Sequence, residues 1–371
     1  MVSHLNRVER IARENIKKIH EWMENDKIDL VFLCDPPNIR YAIGIGPYMT
    51  RTMFESAFSE YVLFSKDDEL PAILVNFYQA FYRERVRWVS HIGSMDELES
   101  YLRGLSRVKR VVTSTETPNY IIERMKGVLS DATITADASD LEKIRSIKSD
   151  HEIANISDAA EIAMAMMQKA RAACREGARE CDVAAEAEHE MRKLGADTFA
   201  FSTIVSSGFN LGVMQEIATE KRIQSGETVM VDLGATRNSY NAEFTRTFAI
   251  GSISNELRTF YRVVHEALLC SIDKIQPGQT CHIVDKTARD IVKRSGHDYA
   301  HFTGHGIGTS VWEYPTVATN SVATLEPNMV IALEPAIYKP GVGGVRLEHN
   351  LVVTKNHPKI LTPFPFEEEL L

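Results

Sequence analysis

The sequence predicts a protein of two domains, of which the first is an α/β domain and the second begins with long helices. At 371 residues the chain is long for a single hydrophobic core, so two domains are expected. Patterns typical of helices and of strands alternate up to about residue 140, as they do in α/β domains. From Asp140 onward helical stretches replace this alternation, and a strand hairpin and a glycine-rich loop follow. We place the N-terminal domain at residues 1–142 and the second domain at residues 146–371.

Each element of the first domain follows from its apolar pattern. Apolar residues recur at helical spacing between residues 5 and 25, which predicts an opening helix. A second helix is predicted at 119–129. Arg51 has the charge to bind an anion, but we interpret it as a surface residue, and nothing else in this domain indicates catalysis. The predicted strands are runs of apolar and β-branched residues at 28–35, 60–65, 71–77, 108–114 and 132–138.

The second domain is predicted to contain helices on both sides of a hairpin. Two helices follow residue 140, and the second of them is expected to begin near Ser149. The stretch Thr228–Ile250 predicts two strands, with Gly234, Asn238 and Ser239 forming the turn between them. Further helices are predicted at 180–195, 255–274 and 281–295.

Composition excludes several classes of protein. The 42 Lys and Arg residues against 51 Asp and Glu residues give a net charge of −9, which argues against a nucleic-acid partner. No apolar run approaches the ~20 residues that span a bilayer, and the N-terminus has no signal-peptide pattern. The five cysteines are odd in number and lack CxxC spacing, as is typical of reduced thiols. We therefore expect a cytoplasmic protein without a membrane partner.

Four acidic residues and one histidine stand out because of their surroundings. The acids lie in strands that are otherwise apolar, and the histidine lies in a glycine-rich loop. A single glutamate on a strand is usually solvated, but burying an isolated ionised carboxylate costs several kcal/mol, so acids in such apolar runs need partners. They are too far apart for a local motif, so the fold must bring them together. These residues are Asp232, Glu243, His305, Glu334 and Glu348.

Four carboxylates in one pocket leave two chemical possibilities. They cannot all stay ionised a few ångströms apart without compensation. Two divalent cations would neutralise them, and carboxylates with one imidazole suit Mn²⁺, Fe²⁺, Co²⁺ or Zn²⁺. Two such ions ~3.5–4 Å apart activate water and polarise a carbonyl, which is the chemistry of metal-assisted amide hydrolysis. Without metal, the same pocket would hold one or two protonated acids and would serve proton transfer.

Several motifs, in this order and spacing, resemble the prolidase, aminopeptidase P and creatinase family. The motifs are VDLGA, TRTF, GHGIG, LEP and VRLEHN, and LEKIRSIKSDHEI resembles the family's entry into its catalytic domain. The resemblance covers essentially the whole chain, and methionine aminopeptidases are more distant relatives. It implies an α+β catalytic domain of the pita-bread fold, an N-terminal creatinase-like α/β domain, and a homodimer.

The resemblance also assigns roles to individual residues. The family's metal ligands fall on Asp232, Glu243, His305, Glu334 and Glu348. Glu334 would double as general base, and His301 matches a further family histidine near the substrate. The implied activity is that of a metal-dependent hydrolase of the Xaa-Pro dipeptidase or aminopeptidase type. It would act on a dipeptide or another small molecule with two ions of Mn, Co, Zn or Fe.

The chain departs from the family at three positions. Glu243 stands where the family usually has Asp, and creatinase, which uses no metal, shares this glutamate. Gln215 and Trp312 stand where the peptidases have histidines that contact substrate. We expect these two residues and Arg346 to line the substrate pocket. The departures keep two alternatives open: a creatinase-like hydrolase or lyase of a small non-peptide metabolite with one metal or none, and a catalytically silent binding protein.

Overall fold

A six-stranded mixed sheet forms the centre of the N-terminal unit, Met1–Arg145. The computed structural model describes residues 2–46, 60–77 and 79–371, so Arg51 lies outside the described residues. The strands are β1 Leu30–Leu33, β2 Glu60–Ser65, β3 Ala72–Val75, β4 His91–Gly93, β5 Arg110–Thr113 and β6 Thr133–Thr135. Their order in the sheet is β4-β3-β2-β1-β5-β6. The helices of this unit are Val2–Asn25, Pro36–Ile43, Gln79–Arg85, Leu98–Gly104 and Asn119–Val128, with a 3₁₀ turn at Met95–Glu97 and a helix at its end, Ser139–Ser146.

Strand β1 shows why this sheet is apolar on both faces. Val31 and Leu33 belong to the hydrophobic cluster that contains the opening helix. Leu30 and Phe32 belong to a separate cluster with residues of the helices Leu98–Gly104 and Asn119–Val128. Helices therefore cover both faces, and the strand reads as a continuous apolar run rather than an alternating one.

The sequence analysis does not predict the helix Pro36–Ile43, which begins with two prolines directly after the predicted strand 28–35. Proline fits the first turn of a helix, where its missing N–H would have no partner in any case. The Asp35 side chain accepts a hydrogen bond from the backbone N–H of Asn38 and so caps the helix. Gly44, with φ of 71°, ends the helix in the left-handed conformation that glycine tolerates.

The second unit, Ser146–Leu371, consists of two halves that each pack a pair of helices against strands. In the first half the helices Asp150–Ala173 and Glu180–Lys193 pack against the strands β9 and β10. In the second half Asn255–Ile272 and Cys281–Arg294 pack against a five-stranded sheet. The strands of the first half are β7 Thr198–Phe199, β8 Ile204–Ser207, β9 Thr228–Arg237 and β10 Tyr240–Ala249, with a short helix at Phe209–Gly212. Those of the second half are β11 Gly304–Gly306, β12 Glu313–Val317, β13 Val330–Leu333, β14 Ala336–Lys339, β15 Gly343–Arg346, β16 His349–Val352 and β17 Lys359–Ile360, with a 3₁₀ turn at Glu368–Leu370.

The strands of the second unit pair antiparallel. The order β10-β9-β7 holds in the first half, and β8 also pairs with β9. The order β12-β11-β13-β16-β17 holds in the second half, and β14 and β15 form a separate hairpin. The pattern is thus a mixed helix-and-sheet architecture without parallel crossovers in this unit.

The predicted start of the first long helix is confirmed. The Ser149 hydroxyl accepts a hydrogen bond from the backbone N–H of Glu152, and the Glu152 carboxylate accepts one from the backbone N–H of Ser149. This reciprocal capping satisfies two backbone donors that a helix would otherwise leave unpaired.

The hairpin of β9 and β10 turns at Asn238 and Ser239, whose φ angles are 51° and 70°. Such positive angles at both central residues match the right-handed twist of the flanking strands. The prediction that Gly234 belongs to the turn is wrong, because Gly234 lies within β9 opposite Glu243. A Cβ atom there would lie 2.7 Å from the Ala242 carbonyl oxygen and 2.9 Å from the Glu243 Cβ. The absence of a side chain at Gly234 therefore leaves space for the side chain of Glu243.

Two expectations drawn from composition concern cross-links and membranes. All five cysteines are free thiols, as their odd number and spacing predict. No helix in the part of the chain that the structure describes is both long and apolar enough to cross a membrane.

Candidate metal and substrate site

The register of the hairpin places two of the predicted ligands on one face of the sheet. Asp232 in β9 lies opposite Thr245 in β10, and Glu243 lies opposite Gly234. Opposite residues share a face, and side chains two positions apart on one strand share it as well. Asp232 and Glu243 are therefore diagonal neighbours across the two strands.

The second half brings the other three predicted ligands to the same place. His305 is the middle residue of β11, and Glu334 follows β13 directly. The backbone N–H of Glu334 donates to the Thr303 carbonyl over 2.8 Å. Glu348 precedes β16, and its backbone N–H donates to the Thr245 carbonyl over 3.2 Å. The Thr245 hydroxyl also donates to Glu348 Oε2 over 2.7 Å, so this threonine joins the two halves.

All five side chains are buried, and we call them the acid cluster. A cavity of about 540 Å³ opens above them, a size within the ~300–1,000 Å³ typical of small-ligand sites. Four members line it directly, and the carboxylate of Glu348 lies behind them, bonded to Thr245. The acid cluster comprises Asp232, Glu243, His305, Glu334 and Glu348.

The carboxylates of the acid cluster repel one another because they are buried close together. Burial raises the pKa of Glu243 well above its ordinary value, and the charges of Glu348, Asp232 and Glu334 raise it further. Burial likewise raises the pKa of Glu348 well above its ordinary value. For Glu334 burial raises the pKa to about 7. Without a cation to compensate them, these acids therefore favour the protonated form.

One cation from the chain compensates part of this charge. The guanidinium of Arg346 donates from Nη2 to Asp232 Oδ2 and from Nε to the Thr245 hydroxyl over 3.3 Å. Its Nη1 donates to the Tyr338 hydroxyl over 3.2 Å and lies 3.9 Å from Glu334 Oε2. Arg346 lines the cavity, where it was predicted to contact substrate, but its donors are directed at the protein. One guanidinium cannot neutralise four acids.

The donor set of the acid cluster fits divalent metal ions. Among the described residues, the buried atoms Asp232 Oδ1 and Glu243 Oε1 have no hydrogen-bond partner. His305 Nε2 lies 3.5 Å from Glu243 Oε1 and 3.6 Å from Glu334 Oε1. His305 Nδ1 lies 3.1 Å from the Gly306 carbonyl, to which it donates, so Nε2 keeps a free electron pair facing the acids. Burial lowers the pKa of His305 to about 4, which keeps the imidazole in the neutral form that binds metals.

The present arrangement of the side chains is not that of a closed coordination sphere. Across residues 2–46, 60–77 and 79–371, no three His, Cys, Asp or Glu side chains are placed so as to hold an ion together. Arg346 holds one oxygen of Asp232, and Thr245 holds one oxygen of Glu348. The chemistry of the donors fits a metal, but one oxygen each of Asp232 and Glu348 is engaged by the protein in this structure.

The lining of the cavity also includes Phe201, Glu216 and Trp312, which we call the rim. Trp312 is 62% exposed, and its ring centroid lies 5.4 Å from that of His305. The loop that carries Gln215 places the next residue, Glu216, in the cavity wall, and Gln215 is not among the described lining residues. No pattern in the sequence singles out Glu216, which is an exposed acid in an irregular loop.

His301 lies beside the acid cluster and is connected to it through a tyrosine. Its Nδ1 donates to the Phe302 carbonyl over 2.7 Å, and its Nε2 accepts from the Tyr338 hydroxyl over 3.1 Å. That hydroxyl in turn accepts from Arg346, which is bonded to Asp232. Burial, followed by the charge of Arg346, lowers the pKa of His301 to about 3, so the ring is neutral. The predicted role of His301 in catalysis stays a prediction.

Comparison with known proteins identifies the family. Residues 154–355 match the model of metallopeptidase family M24, and residues 15–147 match that of the Creatinase/Prolidase N-terminal domain. The chain is similar to an Xaa-Pro dipeptidase from Pyrococcus horikoshii, with 33% identity over 95% of this chain and 97% of that protein.

Solved structures show the same fold. The crystal structure of the prolidase from Pyrococcus horikoshii superposes with a TM-score of 0.85 at 31% identity, over 95% of this chain and 99% of that one. An Xaa-Pro dipeptidase from Bacillus anthracis superposes with a TM-score of 0.85 at 30% identity, over 96% and 99% of the two chains. The predicted pita-bread fold with a creatinase-like N-terminal domain is confirmed. The chain therefore belongs to metallopeptidase family M24, among the prolidase and creatinase enzymes, and is a metal-dependent hydrolase.

Proposed function

We propose that this hydrolase cleaves the amide bond that precedes proline in Xaa-Pro dipeptides and uses two divalent metal ions. The unpartnered buried oxygens Asp232 Oδ1 and Glu243 Oε1, the second of which lies 3.5 Å from His305 Nε2, carry the proposal. Similarity to Xaa-Pro dipeptidases supports it. The ligands proposed for the ions, among Mn, Co, Zn and Fe, are Asp232, Glu243, His305, Glu334 and Glu348.

The ions, when bound, would supply an activated water and polarise the scissile carbonyl. The chain's own residues then handle protons and positions. Glu334 lines the cavity and can accept the proton of an attacking water molecule. His301 orients Tyr338, which orients Arg346 against Asp232. This chain of hydrogen bonds holds the carboxylate of Asp232 in place while substrate enters.

Gln215 and Trp312 are expected to lower the peptidase activity. The histidines of the peptidases at these positions help to hold the developing oxyanion, a contribution of about 2.7–4 kcal/mol for one such donor. Trp312 offers only an indole N–H on a larger side chain, and Gln215 only an amide. We therefore expect weak Xaa-Pro dipeptidase activity and a preference for a small substrate.

Steady-state assays on Ala-Pro, Met-Pro and Leu-Pro with Mn²⁺ or Co²⁺ test this proposal. Slow hydrolysis that depends on metal supports it. A turnover near the ~10 s⁻¹ of an ordinary enzyme would show that the two substitutions are compensated. The double variant Gln215→His, Trp312→His is expected to gain turnover, and a double variant without any gain would contradict the role given to these positions.

A second candidate is a hydrolase or lyase of a small non-peptide metabolite with one metal or none. One observation favours it: the Arg346 guanidinium already pairs with Asp232. Elemental analysis after incubation with excess Mn²⁺ separates the two candidates. The proposed dipeptidase binds two ions per chain, whereas the second candidate binds one or none. Protein that retains metal but turns over neither class of substrate would indicate a catalytically silent member.

The proposed assembly rests on the family resemblance, and the proposed location and the excluded partners rest on composition. We propose a cytoplasmic homodimer that binds neither nucleic acid nor membranes. Light scattering of the purified protein tests the dimer, for which about twice the chain mass of 41.7 kDa is expected. A mass of one chain at micromolar concentration would contradict it.

A further inference from the structure

Glu216 lines the same cavity as the acid cluster but belongs to no motif of the family. It is exposed, and in the described part of the chain its carboxylate makes no hydrogen bond or ion pair. A carboxylate in a cavity wall without a protein partner is available to a ligand.

The loop that carries Glu216 is anchored by a buried carboxylate. Glu180 accepts hydrogen bonds from the backbone N–H and hydroxyl of Ser207, over 2.8 and 2.7 Å. It also accepts from the Asn210 amide over 3.0 Å and from the backbone N–H and hydroxyl of Thr219. Both ends of the loop are therefore fixed. A side chain on a fixed loop loses less freedom when it binds, so Glu216 is pre-organised for recognition.

Trp312 presents an exposed aromatic face in the same cavity wall. Its ring centroid lies 6.4 Å from that of Phe302. The neighbouring residue, Glu313, is held by Lys148 in an ion pair whose side chains are each only 1% exposed. An exposed indole can attract a cation to its face. An acid and a tryptophan in the lining of one cavity thus complement a positively charged group.

The acids of the cavity differ in how their charges would be balanced. Its acidic lining residues are Glu216, Asp232, Glu243 and Glu334. Among the described lining residues, Arg346 is the one arginine or lysine, and it pairs with Asp232. Two divalent ions on the acid cluster would balance its four carboxylates, so the attraction for a cationic group would come from Glu216 itself and not from the net charge of the cavity.

We propose that Glu216 and Trp312 form a subsite for a positively charged group of the substrate. The chain then prefers Xaa-Pro dipeptides whose first residue carries a cationic side chain. This inference rests on the proposed function and deepens it, because it names the substrate class of the same site.

A matched pair of dipeptides, Lys-Pro and norleucine-Pro, tests the subsite. The two have the same aliphatic stem, and only lysine carries the ammonium group. For the wild type we expect kcat/KM to be about tenfold higher for Lys-Pro than for norleucine-Pro. The affinity measured by calorimetry should differ by about the same factor, since an exposed ion pair and a cation–π contact each contribute a few-fold. The preference should shrink as ionic strength rises. Glu216→Gln and Trp312→Leu should each lower the ratio to a few-fold, because each variant keeps the other contact.

The matched control is Glu220→Gln, which removes the same charge from the same loop. The Glu220 side chain is 89% exposed and is not among the described lining residues, so this variant should keep the preference. Equal losses in the two glutamine variants, or a wild-type ratio near one in both measurements, would overturn the subsite. If neither dipeptide is hydrolysed but Lys-Pro binds about tenfold more tightly, the proposed function fails and the subsite stands. If both are hydrolysed with equal efficiency and bind equally, the proposed function stands and the subsite fails.

Discussion

The acid cluster is almost entirely buried, whereas the rim of the same cavity is open to solvent. Every member of the acid cluster is less than one-tenth exposed, while Trp312 is 62% exposed. The family resemblance predicts that the acids match the family's ligand positions except at Glu243, and that the rim departs from the family at Trp312. Burial leaves few solutions for several carboxylates, because each needs a cation, a proton or a hydrogen bond. An exposed rim is free of that constraint, so it can vary with the substrate.

The largest effect is expected from removing one charge within the acid cluster. Glu348→Gln should abolish most bound Mn²⁺ or Co²⁺ and lower turnover by at least about 10³-fold, since even a partner of a metal ligand contributes 10–100-fold. Elemental analysis and dipeptide assays measure both. The control is Glu220→Gln, which should retain metal. A Glu348→Gln protein with full metal content would contradict the greater importance given to the buried acid cluster than to the exposed rim.

A buried ion pair below the rim should matter for stability more than for chemistry. Lys148→Met removes the cation that pairs with the buried carboxylate of Glu313 and should lower the free energy of unfolding by about 3–5 kcal/mol. Urea unfolding measures the change. Lys193→Met, which breaks the exposed pair with Glu190, is the control and should change stability little. Similar losses in both variants would show that burial of the pair is unimportant.

Gly234 tests how tightly the chain packs around the acid cluster. Gly234→Ala adds a methyl group that meets the Ala242 carbonyl at 2.7 Å and the Glu243 Cβ at 2.9 Å. We expect a loss of about 1–3 kcal/mol in unfolding free energy and weaker metal binding. Gly127→Ala is the control, because nothing lies within 4 Å of its added methyl group in a helix. A Gly234→Ala protein as stable as that control would mean that the hairpin of β9 and β10 can move to accommodate the methyl group at little cost.

The smallest effect concerns the pH dependence of stability. The pKa of His301 is lowered to about 3 in the fold from 6.5, so below pH 6.5 the unfolded chain binds the proton more readily. This contribution is fully present above pH 6.5 and is lost as the pH falls toward 3, with a slope of at most about 1.4 kcal/mol per pH unit. His301→Gln should flatten the curve of unfolding free energy between pH 6.5 and 4.5. Parallel curves for wild type and variant would show that the ring protonates in place.

The sequence predicts those features that depend on local patterns. Ser149 and Glu152 carry their capping signal within four residues, and the helix begins there. The apolar surroundings of Asp232 and Glu334 indicate burial without knowledge of the fold, and the motif order predicts the family. These signals suffice because each depends on neighbours in the chain.

Other features need the register of distant segments. The pairing of Arg346 with Asp232 spans 114 positions, so no local pattern announces it. The place of Gly234 in β9 depends on the strand opposite, so the local sequence wrongly suggests a turn. Glu216 is a candidate only because it lines the cavity, which its neighbours in the chain do not indicate. The ligand roles of the acid cluster stay predictions.

Thr245 connects the two halves of the second unit at the site through three hydrogen bonds. Its hydroxyl donates to Glu348 and accepts from Arg346, and its carbonyl accepts from the backbone N–H of Glu348. The halves cannot part without breaking all three hydrogen bonds and exposing the carboxylates together. The Glu348 amide hydrogen should therefore exchange with solvent only through global unfolding, so that the site opens in a single cooperative event rather than by local fraying.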